Sequence, residues 1–203
     1  MPKPVEEVTD YLKFALTRPK LLSAWSDYRY SDERLKFVHL LECMNYVRVS
    51  RPAGVQPIFF EFGCHSGRTF SATINAARYL SMTDVKFYAF DSFEGLPKPD
   101  PKQFPTEASA VSSKTIAEDY KNFSVSLEEV QKNFRAYGLL DEKVRFLTGW
   151  FKDTLPDAPF KKLAVVRLDA DLYESTRDAL VSLYPKVSIG GFVIIDDYGE
   201  KWV

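Results

Sequence analysis

The sequence predicts an α/β fold, a parallel-sheet core with helices on both faces and an N-terminal helical extension. Three observations carry this. Short apolar runs at residues 58–60, 85–90, 163–168 and 192–195, bounded by turn residues, read as strands buried on both faces. Segments with apolar residues at helical spacing lie between them, which implies right-handed crossovers between parallel strands. Finally, Gly63, Asp91, Gly149, Asp169 and Asp196 all fall at or just past strand C-termini, the edge where open α/β sheets hold ligands.

With 203 residues, 45% hydrophobic and 27% charged, the chain reads as one domain with a substantial core. Residues 1–55 form the expected helical cap and 56–203 the sheet core. A formal net charge of -1 points to neither nucleic acid nor an anionic membrane as partner. No apolar run approaches the ~20 residues that span a bilayer. The opening MPKPVEEVTDYLKF lacks the apolar centre of a secretory signal, and Cys43 and Cys64 are too few for a disulfide framework or a zinc site. A cytoplasmic protein is the expectation.

In chain order, residues 5–16 predict a helix with Val5, Val8, Leu12 and Ala15 on one side, stopped before Pro19. A second starts at Ser31 as N-cap, without a complete capping box because Arg34 stands at the third position. Leu35, Val38, Leu41 and Val49 are expected to face inward, and His39 to be structural.

The stretch IFFEFGCHSGRTF, 58–70, then gives strand, glycine turn and helix start. This arrangement brings backbone N–H groups against a ligand. Its spacing, E-x-G-x-x-x-G from Glu61 to Gly67, is not the dinucleotide G-x-G-x-x-G, and the acid suits a cationic or amino-bearing ligand. The next strand ends at Asp91, where a ribose hydroxyl pair is commonly held; a solvated turn residue is the plain alternative. From Lys98 to Val125 the pattern dissolves into a long, polar, proline-bearing segment read as a lid. Ser126, Glu129 and Gly138 punctuate a helix. After the strand KVRFLTG, Trp150 and Phe151 offer a face for an adenine ring, or belong to the core. LAVVRL forms the fourth strand and TRDALVSLYP the helix after it; VSIGG is a turn and FVIIDDYG the fifth strand.

Asp169, Asp171, Asp196 and Asp197 crowd the ends of the last two strands. Like charges packed that closely need a cation, a shared proton or solvent. Oxygen-only ligands favour Mg²⁺ or a related hard ion. Asp171 is a candidate general base, and capping of the next helix accounts for it equally well.

Five blocks in order, EFGCHSGRTF, FDSFEGLP, GWFKDTLP, VRLDADLYEST and GGFVIIDDYG, resemble the macrocin O-methyltransferase family over 59–199. The resemblance implies a Rossmann-like class I methyltransferase fold, S-adenosylmethionine and Mg²⁺, and a hydroxyl of a small sugar or natural-product glycoside as acceptor. It implies metal ligands Asp169, Asp196 and Asp197; Asp169 as a ligand and Asp171 as the candidate base, two residues from it, are the expected catalytic residues. Implied cofactor contacts are Glu61, Gly63, Ser66, Asp91, Ser92, Gly149, Trp150 and Asp169. His65 and Ser66 depart from a more glycine-rich loop. The family continues beyond the fifth strand, so this chain is read as C-terminally truncated, or its open edge as covered by another copy in a homo-oligomer. Three rivals stand beside this reading. A D-x-D glycosyltransferase explains Asp169 and Asp171 but neither the glycine turn nor the Asp196–Asp197 pair. A nicotinamide dehydrogenase wants a tighter glycine pattern, and a methyltransferase-like binding module would lack turnover.

Overall fold

The computed structural model describes residues 31–51, 57–112 and 123–198, with side chains in the first helix from Lys36 onward. The expected helix at 5–16 lies outside the described residues. The elements run α1 (Ser31–Ser50), β1 (Ile58–Phe62), α2 (Arg68–Tyr79), β2 (Lys86–Asp91), α3 (Pro105–Ser112) and α4 (Leu127–Tyr137). They continue with β3 (Val144–Thr148), α5 (Phe151–Thr154), β4 (Leu163–Leu168), α6 (Tyr173–Leu183) and β5 (Val187–Ile195). The strands pair in parallel in the order β3-β2-β1-β4-β5. The order reverses at β1, so the crevice between the ends of β1 and β4 is the topological switch point.

The pleat of β1 sends alternate aromatics to opposite faces. Phe59 packs with Phe70, Phe87 and Phe134 under α1, α2 and α4, whereas Phe60 and Phe62 join Phe90, Leu168 and Leu183 under α5 and α6. Each such fully buried side chain stabilises by roughly 1.5–3 kcal/mol. In β4 all six residues are buried, as a central strand covered on both faces requires. Ser126 accepts from the Glu129 N–H at 3.2 Å and Gly138 closes α4 in the left-handed region, as the sequence predicts.

Three expectations change. The buried stripe of α1 is Phe37, Leu40, Leu41, Met44 and Val47, while Val49 is exposed. Packing against α2, β4 and β5 selects this stripe, which keeps Leu41 of the expected one and leaves Val38 half-buried; the Leu35 side chain lies outside the described residues. VSIGG is no simple turn: it opens β5, and a register irregularity between Leu163 and Val165 absorbs Gly190 at φ +80°. Within 98–125, where no element was expected, residues 105–112 form α3. Its Glu107 is buried and accepts a hydrogen bond from the Tyr173 N–H at the start of α6. Residues 113–122 of the expected lid lie outside the described residues. Among the described residues, β5 pairs only with β4.

Candidate active site

At the C-terminal edge of the sheet the loops after β1, β2, β3 and β4 enclose a cavity of about 450 Å³. Continued ladder bonds draw these loops together: Gly63 N–H to Phe90 C=O at 3.1 Å, Asp169 N–H to Phe62 C=O at 2.9 Å, and Asp196 N–H to Leu168 C=O at 2.8 Å. Gly63 has φ +80°, and a Cβ there would lie 1.7 Å from the Asp169 carbonyl oxygen. Its requirement for glycine comes from the chain packed behind it. Three non-glycine residues, His65, Phe93 and Asp171, also hold positive φ at this edge, a cost typical of shaped ligand sites.

Asp91 organises two of the loops. Its Oδ2 accepts from the N–H groups of Cys64 at 2.7 Å and His65 at 3.1 Å, and its Oδ1 accepts from Phe93 N–H at 2.7 Å. One carboxylate therefore fixes both the glycine turn and the loop after β2. Ser92 shapes that loop further, its hydroxyl donating to Gly95 C=O at 2.8 Å and accepting from Glu94 N–H at 3.1 Å.

Beneath the cavity lies a buried charge cluster. Glu61 and Arg167 are register partners on β1 and β4, on one face of the sheet. Arg167 Nη1 reaches Glu61 Oε1 at 3.4 Å, and Nη2 reaches Asp169 Oδ2 at 3.1 Å and Asp196 Oδ1 at 2.6 Å. The other oxygen of Asp196 receives Lys36 Nζ at 2.6 Å from α1. Burial pushes the Glu61 carboxyl up to about 8, against the pull of Arg167. Burial also works against the Arg167 charge, but Glu61, Asp169 and Asp196 outweigh it and hold the guanidinium ionised.

Above that layer, oxygens of Asp169, Asp171 and Asp197 lie within 4.8 Å of one another. Asp171 N–H donates to Asp197 Oδ2 at 3.2 Å. Burial, then mutual repulsion that Arg167 only partly offsets at Asp169, raises Asp169 to about 6; burial with the neighbouring acids raises Asp171 to about 7. Asp171 does not cap α6, whose N-cap is Leu172 and whose first N–H is taken by Glu107. Even with Glu61 set aside as largely protonated, the carboxylates of Asp169, Asp171, Asp196 and Asp197 outnumber Arg167 and Lys36 in this cluster. An all-oxygen set with surplus negative charge fits a hard divalent cation.

The expected site residues thus divide. Gly63, Asp91, Ser92, Gly149, Trp150, Asp169 and Asp171 line the cavity, together with Phe151. Glu61, only 2% exposed, and Ser66, whose carbonyl accepts from Asn133 at 3.4 Å, do not. Of the expected metal set, Asp169 and Asp197 converge with Asp171, while Asp196 faces Arg167 and Lys36. Sequence reasoning missed Arg167, though a lone charge in the apolar run LAVVRL is a readable sign of a buried partner. It also missed Glu174, Ser175 and Asp178, which extend the cavity wall along α6 at helical spacing.

The sheet order, the glycine turn after β1 and the acids ending β2 and following β4 define a Rossmann-like class I methyltransferase fold. The solved structure of the O-methyltransferase NovP is similar to this chain with a TM-score of 0.71 and 40% identity, covering 81% of this chain and 65% of that one. The chain belongs to the macrocin-O-methyltransferase (TylF) family, whose model matches residues 25–202. It is 53% identical over 123 residues to the demethyldecarbamoylnovobiocin O-methyltransferase of Streptomyces niveus, covering 60% of this chain and 45% of that protein. It is 53% identical over 117 residues to a Streptomyces olivaceus enzyme named for 4'-O-methylation of a rhamnosyl tetracenomycin, covering 57% and 43%. The chain spans about half the length of the curated relatives it matches. Among the described residues no helix is long and apolar enough to cross a membrane.

Proposed function

We propose that this chain is an S-adenosylmethionine-dependent, Mg²⁺-dependent O-methyltransferase acting on a hydroxyl of a sugar or natural-product glycoside. The observation that carries this reading is the convergence of Asp197 with Asp169 and Asp171, the two acids that line the cavity formed by the ends of β1, β2, β3 and β4. The sugar acceptor rests on the names of the relatives. Gly63, Asp91, Ser92, Gly149, Trp150 and Asp169 would frame the cofactor, with Trp150 and Phe151 as aromatic walls. Asp91 acts chiefly by holding the loops in place, because its carboxylate is engaged by three backbone N–H groups.

Asp169 and Asp197 would hold the Mg²⁺ with Asp171 as the third facing carboxylate; Asp196 would join only by leaving Arg167 and Lys36. Held there, the ion would supply positive charge that lowers the pKa of an acceptor hydroxyl. In the transfer, the hydroxyl oxygen forms a C–O bond to the methyl as the C–S bond breaks, and the electron pair returns to sulfur as S-adenosylhomocysteine. Asp171 is the proposed acceptor of the hydroxyl proton, since it lines the cavity and is not spent on helix capping. We read the protein as cytoplasmic, in keeping with its two free cysteines.

Calorimetry of the chain with S-adenosylhomocysteine, UDP and NAD⁺, each with and without Mg²⁺, tests the reading. Binding of S-adenosylhomocysteine alone, followed by Mg²⁺-dependent methylation of a glycoside lacking its sugar O-methyl, is the expected result. Preferential UDP binding would overturn it in favour of D-x-D glycosyl transfer.

A further inference from the structure

We propose that Arg167 is the positioning residue of the cation site, an inference that rests on the metal part of the function proposed above. Asp169 and Asp196 belong to the ends of different strands, and a carboxylate at a strand end is otherwise free to rotate about its side-chain torsions. A single nitrogen, Arg167 Nη2, takes Oδ2 of Asp169 and Oδ1 of Asp196, at 3.1 and 2.6 Å. The other terminal nitrogen is tied to Glu61 on β1, so the guanidinium plane is itself fixed from below. Its side chain is 7% exposed, which leaves the fork little room to reorient. Three strands of the sheet are thereby locked to one planar group directly under the acids that face the cavity. Glu61, the acid of the glycine motif, then acts on the cation site through Arg167 and makes no contact with the cavity itself.

Arginine is required for geometry as well as charge. A planar fork serves three carboxylates at fixed angles, whereas a lysine ammonium is one point on a flexible stem. Arg167→Lys keeps the charge and removes the fork, so any change in metal affinity reads orientation and not electrostatic attraction. The test is a Mn²⁺ titration followed by electron paramagnetic resonance, beside calorimetry with S-adenosylhomocysteine in EDTA, on wild type and Arg167→Lys. The expected result is a ~10–100-fold loss of Mn²⁺ affinity, the usual consequence of removing a group that orients metal ligands, with S-adenosylhomocysteine affinity unchanged. If the single variant does not fold, the double variant Glu61→Gln/Arg167→Lys, in which a neutral amide replaces the buried Glu61 carboxyl, carries the Mn²⁺ measurement. Wild-type Mn²⁺ affinity in a folded variant would overturn the inference. So would a parallel loss of both affinities in Arg167→Lys, which would mark Arg167 as a support of the whole crevice. Absence of Mn²⁺ binding by the wild-type chain would overturn the metal reading itself.

Discussion

The α-carbon of Gly63 packs so closely on Asp169 that a Cβ would sit 1.7 Å from its carbonyl oxygen. The glycine of the first motif and the first acid of the carboxylate cluster are thus one steric unit. Gly63→Ala must push the ends of β1 and β4 apart and also adopt φ +80°. The strain of such a backbone alone is about 1–3 kcal/mol. We expect the variant to lose more than about 3 kcal/mol of stability in denaturant melts, and to lose cofactor and metal binding together. A variant with wild-type stability and selectively impaired S-adenosylhomocysteine binding would show instead that the glycine serves the cofactor directly.

The acids of the cluster should separate by their partners. Asp197→Asn removes a proposed ligand and should weaken Mn²⁺ binding by at least about tenfold, whereas Asp171→Asn removes the proposed base and should cost turnover more than Mn²⁺ affinity; stability should change little in both. Asp196→Asn instead strips Arg167 of its shortest ion pair and should lower stability by roughly 1–3 kcal/mol. A large loss of Mn²⁺ affinity in Asp196→Asn without loss of stability would identify Asp196 as a ligand. Chelation by EDTA should abolish methyl transfer, and undiminished turnover in EDTA would rule out a metal role in the chemistry.

Glu107 ties α3 to the first N–H of α6, and its second oxygen is buried without a hydrogen-bond partner among the described residues. Glu107→Ala should cost about 1 kcal/mol, the usual worth of a helix N-terminal cap, and release α3. Trypsin cleavage after Lys102 should accelerate in the variant. Bound S-adenosylhomocysteine should slow that cleavage in the wild type if the segment from Lys98 to Val125 covers the cavity. Equal cleavage rates with and without the ligand would mark a passive loop.

Neither cysteine should behave as a reactive thiol. Burial, with Glu42 nearby, raises Cys43 to about 11, and burial raises Cys64 well above its ordinary value. Only the thiolate reacts, and a raised pKa empties that form below it. At pH 8 the Cys43 thiolate fraction is therefore ~0.1%, and native protein should be nearly inert to a disulfide reagent until unfolded. Reactivity of Cys43 should climb only as pH approaches 11. Rapid labelling at pH 8 would show that α1 opens.

The sequence by itself determined the succession of the five strands, the main helices α1, α2, α4 and α6, the parallel sheet and the edge that carries the candidate site, but not α3, α5 or the opening of β5 at VSIGG. Those features are local: an apolar run such as LAVVRL, a cap such as Ser126 with Glu129, and a glycine such as Gly138 act within a few residues. It also marked the acids that gather after β4 and β5. Only the tertiary structure decided what each acid does. Glu61 and Asp91 both stand where a cofactor contact is expected, yet one is buried against Arg167 and the other clamps two turns. Asp196 and Asp197 are neighbours in sequence, but the first turns to Arg167 and Lys36 and the second to Asp169 and Asp171. The physical reason is that hydrophobic periodicity follows from the chain's own repeat. A carboxylate's partner, by contrast, is fixed by whatever charge the sheet register and the helix packing bring within about 3 Å.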